Sequence, residues 1–122
     1  MNILVDTSVW VEFFKGNIPE LESFLLADCV ITHPFIIGEL ACGTPPSRKQ
    51  TLQDLSNLDY SVHANHEEVL QFIEQNLLFG LGCGLVDLAL LASTVLTQEC
   101  KLWTLDKRLN NLAIKLGVEH IS

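Results

Sequence analysis

Short apolar runs alternate with helical patterns along this chain, which restricts it to folds built on a mostly parallel sheet covered on both faces. Ile3-Leu4-Val5 reads as a first strand, and the next helix runs through Val9, Trp10, Val11, Phe13 and Phe14 to Gly16, with Thr7 or Ser8 as its cap. A helix over about 19–27 leads into the strand Cys29-Val30-Ile31, and Thr32-His33-Pro34 starts a helix that ends near Gly43. After Pro45-Pro46-Ser47 come a helix over roughly 47–57 and a short strand around Tyr60-Ser61-Val62. An amphipathic helix over about 66–79 follows, with Val69, Leu70, Phe72, Ile73, Leu77 and Leu78 inward. A buried helix opens at Leu85, residues 101–105 form a strand, a helix starts at Asp106, and Val118-Glu119-His120-Ile121 reads as an edge strand. No repeat or linker interrupts this pattern, so residues 1–122 are expected to form a single domain.

At 122 residues and 48% hydrophobic content the chain can bury a core without staples, which excludes a disordered protein. The longest apolar stretch, Leu85 to Leu96, is shorter than the ~20 residues a membrane span requires. No basic segment precedes the first apolar residues, so the expected location is cytoplasmic, away from membranes. Cys29, Cys42, Cys83 and Cys100 show no C-x-x-C spacing and sit among apolar neighbours, as buried free thiols do. His33, His63, His66 and His120 are scattered and form no zinc pattern. Gly80-Leu81-Gly82-Cys83-Gly84 lacks both the dinucleotide-binding spacing and a Walker lysine, and reads as a turn.

Four acids stand where these elements meet. Asp6 follows the first strand, Glu39 lies inside an apolar helical segment, Asp87 opens the buried helix, and Asp106 follows Leu102-Trp103-Thr104-Leu105. In open parallel sheets ligands bind beyond the carboxyl ends of the strands, where Asp6 and Asp106 belong, and the helices carrying Glu39 and Asp87 can pack over that edge. Each acid also has a plain structural reading. Asp6 and Asp106 can be helix caps, and Asp87 can be an acid favoured by the positive end of its helix. Glu39 is harder to treat this way, because burying a glutamate without a partner is costly.

Carboxylates brought together repel one another, by roughly 4 kcal/mol for a pair ~4 Å apart at an effective dielectric near 20. Cations must offset that. An all-carboxylate set without His or Cys suits Mg²⁺ or Mn²⁺, which accept hard oxygen ligands and retain water. Such a site can orient a phosphate, activate water and stabilise the leaving oxygen, which is nuclease chemistry. The net charge of −8 runs against nucleic-acid binding by charge alone, although Lys101, Lys107, Arg108 and Lys115 gather near the C-terminal end and Arg48-Lys49 follow the proline pair.

The segments Asp6-Thr7-Ser8-Val9-Trp10, Glu39-Leu40 followed by Gly43, Asp87 ahead of Leu91-Ala92, and Thr104-Leu105-Asp106 together resemble the motif regions of PIN-domain ribonucleases, especially VapC toxins of toxin–antitoxin systems. The resemblance spans essentially the whole chain. It implies a PIN-like three-layer α/β/α sandwich with a parallel sheet of about five strands, and an Mg²⁺- or Mn²⁺-dependent endoribonuclease acting on RNA. It further implies Asp6, Glu39 and Asp87 as metal ligands, Asp106 completing the catalytic site through metal or water, and Ser8 and Thr104 as polar helpers. A homodimer and a cognate VapB-type antitoxin, whose C-terminal segment covers the groove, are implied as partners. Trp10, Phe13 and Phe14 supply an apolar helical face for self-association.

Other classes lack required residues. A haloacid-dehalogenase-like phosphatase needs a second Asp two positions after the first, where this chain has Ser8. A receiver domain needs an acidic pair near its N-terminus, which is missing. The remaining alternative is a non-catalytic PIN-like protein that acts by binding RNA or another protein.

Overall fold

A computed structural model describes residues 1–121. Four strands, β1 (Asn2–Val5), β2 (Val30–Thr32), β3 (Asp59–Tyr60) and β4 (Cys100–Trp103), form one sheet in the order β3-β2-β1-β4. Every pairing is parallel, with Leu4 opposite both Ile31 and Leu102, and Thr32 opposite Tyr60. The first strand is therefore central. Its Ile3, Leu4 and Val5 are fully buried, as a strand covered on both faces requires.

Between β1 and β2 lie α1 (Thr7–Phe14) and α2 (Glu20–Leu26), and between β2 and β3 lie α3 (Pro34–Ala41) and α4 (Arg48–Ser56). The chain then reverses direction across the sheet through α5 (His66–Asn76) and α6 (Leu85–Leu96) to reach β4 beside β1, and continues into α7 (Lys107–Lys115). The helices pack in two groups, α1 with α3 and α3 with α4, against α5 with α6 and α6 with α7. Because right-handed crossovers in opposite directions place their helices on opposite faces, the result is the three-layer α/β/α sandwich expected. The reversal also makes β1 and β4 neighbours whose exits diverge.

The sheet has four strands where five were expected. The fifth is reduced to a parallel bridge between Leu102 and Glu119, with the Leu102 N–H donating to Val118 O at 2.7 Å and the His120 N–H to Leu102 O at 2.9 Å. The helix expected to reach residue 79 stops at Asn76 because Leu77 takes a left-handed conformation (φ 54°), turning its own side chain to solvent and Leu78 into the core. Leu70 also faces solvent. At the start of α5, Asn65 and Glu68 form a reciprocal capping box that the sequence pattern did not single out.

Trp10 corrects a further expectation. It is 1% exposed, packs edge-on to Phe13 and stacks with Phe14, so it belongs to the core rather than to an associating surface. The solvent-facing large apolar residues instead include Leu77, Phe79 and Leu81 on the connection between α5 and α6, and Leu85 at the start of α6. The four cysteines are free, but only Cys100 is fully buried and Cys42 is exposed. Among the described residues, no helix is long and apolar enough to cross a membrane.

Candidate active site

Adjacent strands β1 and β4 end side by side, Val5 opposite Trp103, so the residues that follow them meet at the carboxyl edge of the sheet. The Asp6 N–H donates to Trp103 O at 2.9 Å, which extends the pairing one step beyond the strand. Asp6 occupies the cap position of α1, yet its carboxylate makes no cap hydrogen bond. Instead, Ser8 Oγ and Thr104 Oγ1 both donate to Asp6 Oδ2 at 2.8 Å. Those two hydroxyls in turn accept backbone N–H groups, Ser8 from Leu105 at 3.0 Å and Thr104 from Asp106 at 3.1 Å. Two turns far apart in sequence are thereby fastened around one buried carboxylate, which leaves Oδ1 free of hydrogen bonds from the described residues. Burying a carboxylate is costly unless such donors hydrogen-bond it.

Glu39 is not buried. It faces solvent on α3, where Thr7 Oγ1 donates to its Oε1 at 2.7 Å, so the cost argument that singled it out fails and its position beside α1 takes over. Thr7, expected only as a possible cap, is the residue that orients it. Asp106 is a true helix cap, with Oδ1 accepting from the Leu109 N–H at 3.0 Å. Asp87 sits half-buried in the first turn of α6, where the Gly84 backbone N–H hydrogen-bonds its carboxylate. Its structural reading therefore holds in part.

What joins the four is their common field. Burial raises the Asp87 carboxyl above the ordinary aspartate range, and the negative charges of Asp6, Asp106 and Glu39 raise it further. No basic side chain pairs with any of them, for the one ion pair within 4 Å among the described residues is Lys15 with Glu12, on the far part of α1. The four carboxylates face one another without closing: among the described residues, no three His, Cys, Asp or Glu side chains gather tightly enough to enclose an ion. Repulsion keeps uncompensated carboxylates apart.

Three residues near this edge were not foreseen. The Cys83 thiol is held above its usual range by burial and then by Asp87 and Asp106, while Arg108 pulls it the other way. A protonated thiol is a poor metal ligand, so the donor set remains one of hard oxygens. Gly82 and Arg108 are in contact, with the arginine side chain laid across the glycine backbone. Gly82 lies in the stretch read as a turn, and its φ of +89° agrees with that reading.

No protein-family model matches the chain. Over 116 residues, however, it is 40% identical to Ribonuclease VapC32 of Mycobacterium tuberculosis, in both strain CDC 1551 / Oshkosh and strain ATCC 25618 / H37Rv, covering 95% of this chain and 94% of that protein. The chain belongs to the VapC family of PIN-domain ribonucleases. Near-complete coverage on both sides means that the VapC likeness spans nearly the whole of this chain.

Proposed function

We propose that this protein is an endoribonuclease that hydrolyses RNA phosphodiester bonds with Mg²⁺ or Mn²⁺ held by Asp6, Glu39, Asp87 and Asp106, and that it acts in the cytoplasm as the toxin of a toxin–antitoxin pair. The observation that carries this reading is a half-buried Asp87 facing three further carboxylates with no cation paired to any of them. The donor set fits a hard divalent ion, because Mg²⁺ needs one or two carboxylates and keeps several waters, so a fully enclosing group is not required. Bound there, such an ion would neutralise the cluster, polarise the phosphate and supply activated water.

The chain's own residues have separable tasks. Asp6 is fixed by Ser8 and Thr104 through Oδ2, leaving Oδ1 without a hydrogen bond from the described residues. Glu39 is held by the Thr7 hydroxyl. Asp106 anchors α7 through Oδ1 and leaves Oδ2 to the site. Cleavage of single-stranded RNA is expected with Mg²⁺ or Mn²⁺ and is expected to stop in excess EDTA. Undiminished cleavage in EDTA overturns the metal assignment.

Two partners accompany this reading. Beside Glu39, a groove of about 390 Å³ is lined by Thr7, Val11, Phe14, Leu40, Pro45 and Pro46. An amphipathic antitoxin segment could lie in it and direct an Arg or Lys toward the carboxylates, helped by the net charge of −8. Homodimerisation would draw on the exposed Leu77, Phe79, Leu81 and Leu85 rather than on Trp10. Light scattering is expected to report a dimer at micromolar concentration, and a monomer there removes this part of the proposal.

A further inference from the structure

The acidic chain must still hold RNA, and its cations differ in what they are already bound to. Lys15 pairs with Glu12, the Arg48 guanidinium donates to Gly43 O and Ala41 O at the end of α3, and Lys101 Nζ donates to Gly117 O. Arg108, like Lys49, Lys107 and Lys115, has neither a carboxylate within 4 Å nor a side-chain hydrogen bond among the described residues; it is exposed in the first turn of α7, two residues beyond Asp106. Its side chain lies over the Gly82 backbone. A methyl group on Gly82 would lie 2.8 Å from Arg108 Cδ and 2.9 Å from Nη1, closer than carbon–carbon contact permits, so only glycine lets the side chain lie there. Gly82 also needs its left-handed φ. The guanidinium thus lies over the glycine turn, and its charge reaches Cys83 together with those of Asp87 and Asp106.

We propose that Arg108, seated on Gly82, binds a backbone phosphate of the RNA beside the carboxylate cluster, making the glycine turn and the start of α7 a substrate-positioning pair. This rests on the nuclease reading above. An unpaired guanidinium two residues from Asp106 is a suitable receptor for phosphate, because it presents paired N–H donors to two oxygens. The alternative for the same residue is charge balance, in which the guanidinium serves only to lower the field at Asp87 and Asp106.

The test compares wild type with Arg108→Gln, Arg108→Lys and Gly82→Ala on a labelled single-stranded RNA of mixed sequence. Binding is followed by anisotropy with Ca²⁺ replacing Mg²⁺, cleavage by steady-state kinetics, and folding by thermal melts. Arg108→Gln is expected to raise both Kd and KM about tenfold, with kcat within about twofold and the slope of log K against log salt shallower by about one. Arg108→Lys should restore the slope but only part of KM. Gly82→Ala should raise KM as Arg108→Gln does, and should add little in the double variant, because both displace the same guanidinium. Unchanged Kd and salt slope in Arg108→Gln overturn the proposal. So does unchanged RNA binding with a shifted Mg²⁺ requirement, which assigns Arg108 to charge balance. Absence of cleavage by wild type overturns the nuclease reading separately, while the binding comparison still decides the role of Arg108.

Discussion

Asp87→Asn is expected to raise the melting temperature of the metal-free protein while reducing RNA cleavage more than about a hundredfold. Both effects have one cause. Burial and three neighbouring carboxylates push the Asp87 carboxyl above its ordinary range, so at neutral pH the folded state carries a charge that it disfavours relative to the unfolded chain. For an acid raised in this way, stability falls as pH rises from the unfolded value through the folded one. The gain from Asn should therefore be full near neutral pH and vanish below about 3.9, where the wild-type group is protonated in both states. Asn keeps nearly the same shape and can still accept from the Gly84 N–H, so the helix start is preserved. Lost attraction to the helix dipole opposes the gain by ~0.3–1 kcal/mol, so a higher melt requires that the removed burial cost and repulsions outweigh it. Each ~1 kcal/mol of net gain corresponds to a rise of roughly 3–5 °C for a chain of this size. Melts in EDTA and in Mg²⁺ decide the matter. The variant should melt higher than wild type in EDTA and gain less from Mg²⁺, whereas a lower melt in EDTA with an undiminished gain would reduce Asp87 to a helix-start acid.

The sheet layout was readable because its signals are local. Strand-length apolar runs ending in an acid, and helices with apolar faces, are patterns within a dozen residues, and β1, β4, α3 and α6 fall where those patterns put them. Local patterns also mislead where tertiary packing decides. Trp10 shares a run with Phe13 and Phe14, but only the docking of α1 on the sheet determines that Trp10 turns inward. Leu77 belongs to an apolar series that helical periodicity extends, and a single left-handed residue ends it. The carboxylates were visible as acids in unusual positions, although the reason given for Glu39 was mistaken, since it is exposed and held by Thr7. Contacts between distant segments left no sequence signal at all. Neither the Thr7–Glu39 pairing nor the seat of Arg108 on Gly82 can be derived from spacing, because each depends on how two separate turns approach after the sheet has formed.

Thr104→Val is expected to act in the opposite sense to Asp87→Asn, lowering stability and activity together. Thr104 is buried, and its hydroxyl both donates to Asp6 Oδ2 and accepts from the Asp106 N–H. Valine keeps the shape and removes both bonds. The buried Asp6 carboxylate then retains only the Ser8 donor, and the backbone at the Asp106 cap loses its acceptor. Leaving two such groups short of partners costs about 2 kcal/mol or more, a fall in melting temperature of roughly 6–10 °C. Asp6 also becomes free to turn, so kcat should fall about 10- to 100-fold with little change in KM, as when a group that orients a metal ligand is removed. Thr104→Ser separates this from packing. Serine keeps the hydroxyl and lacks the methyl, so a hydrogen-bonding role predicts that Ser recovers most of both stability and kcat while Val does not. If Thr104 serves only to fill space, the order reverses, with Val near wild type and Ser the weaker variant. That result would detach Thr104 from the orientation of Asp6.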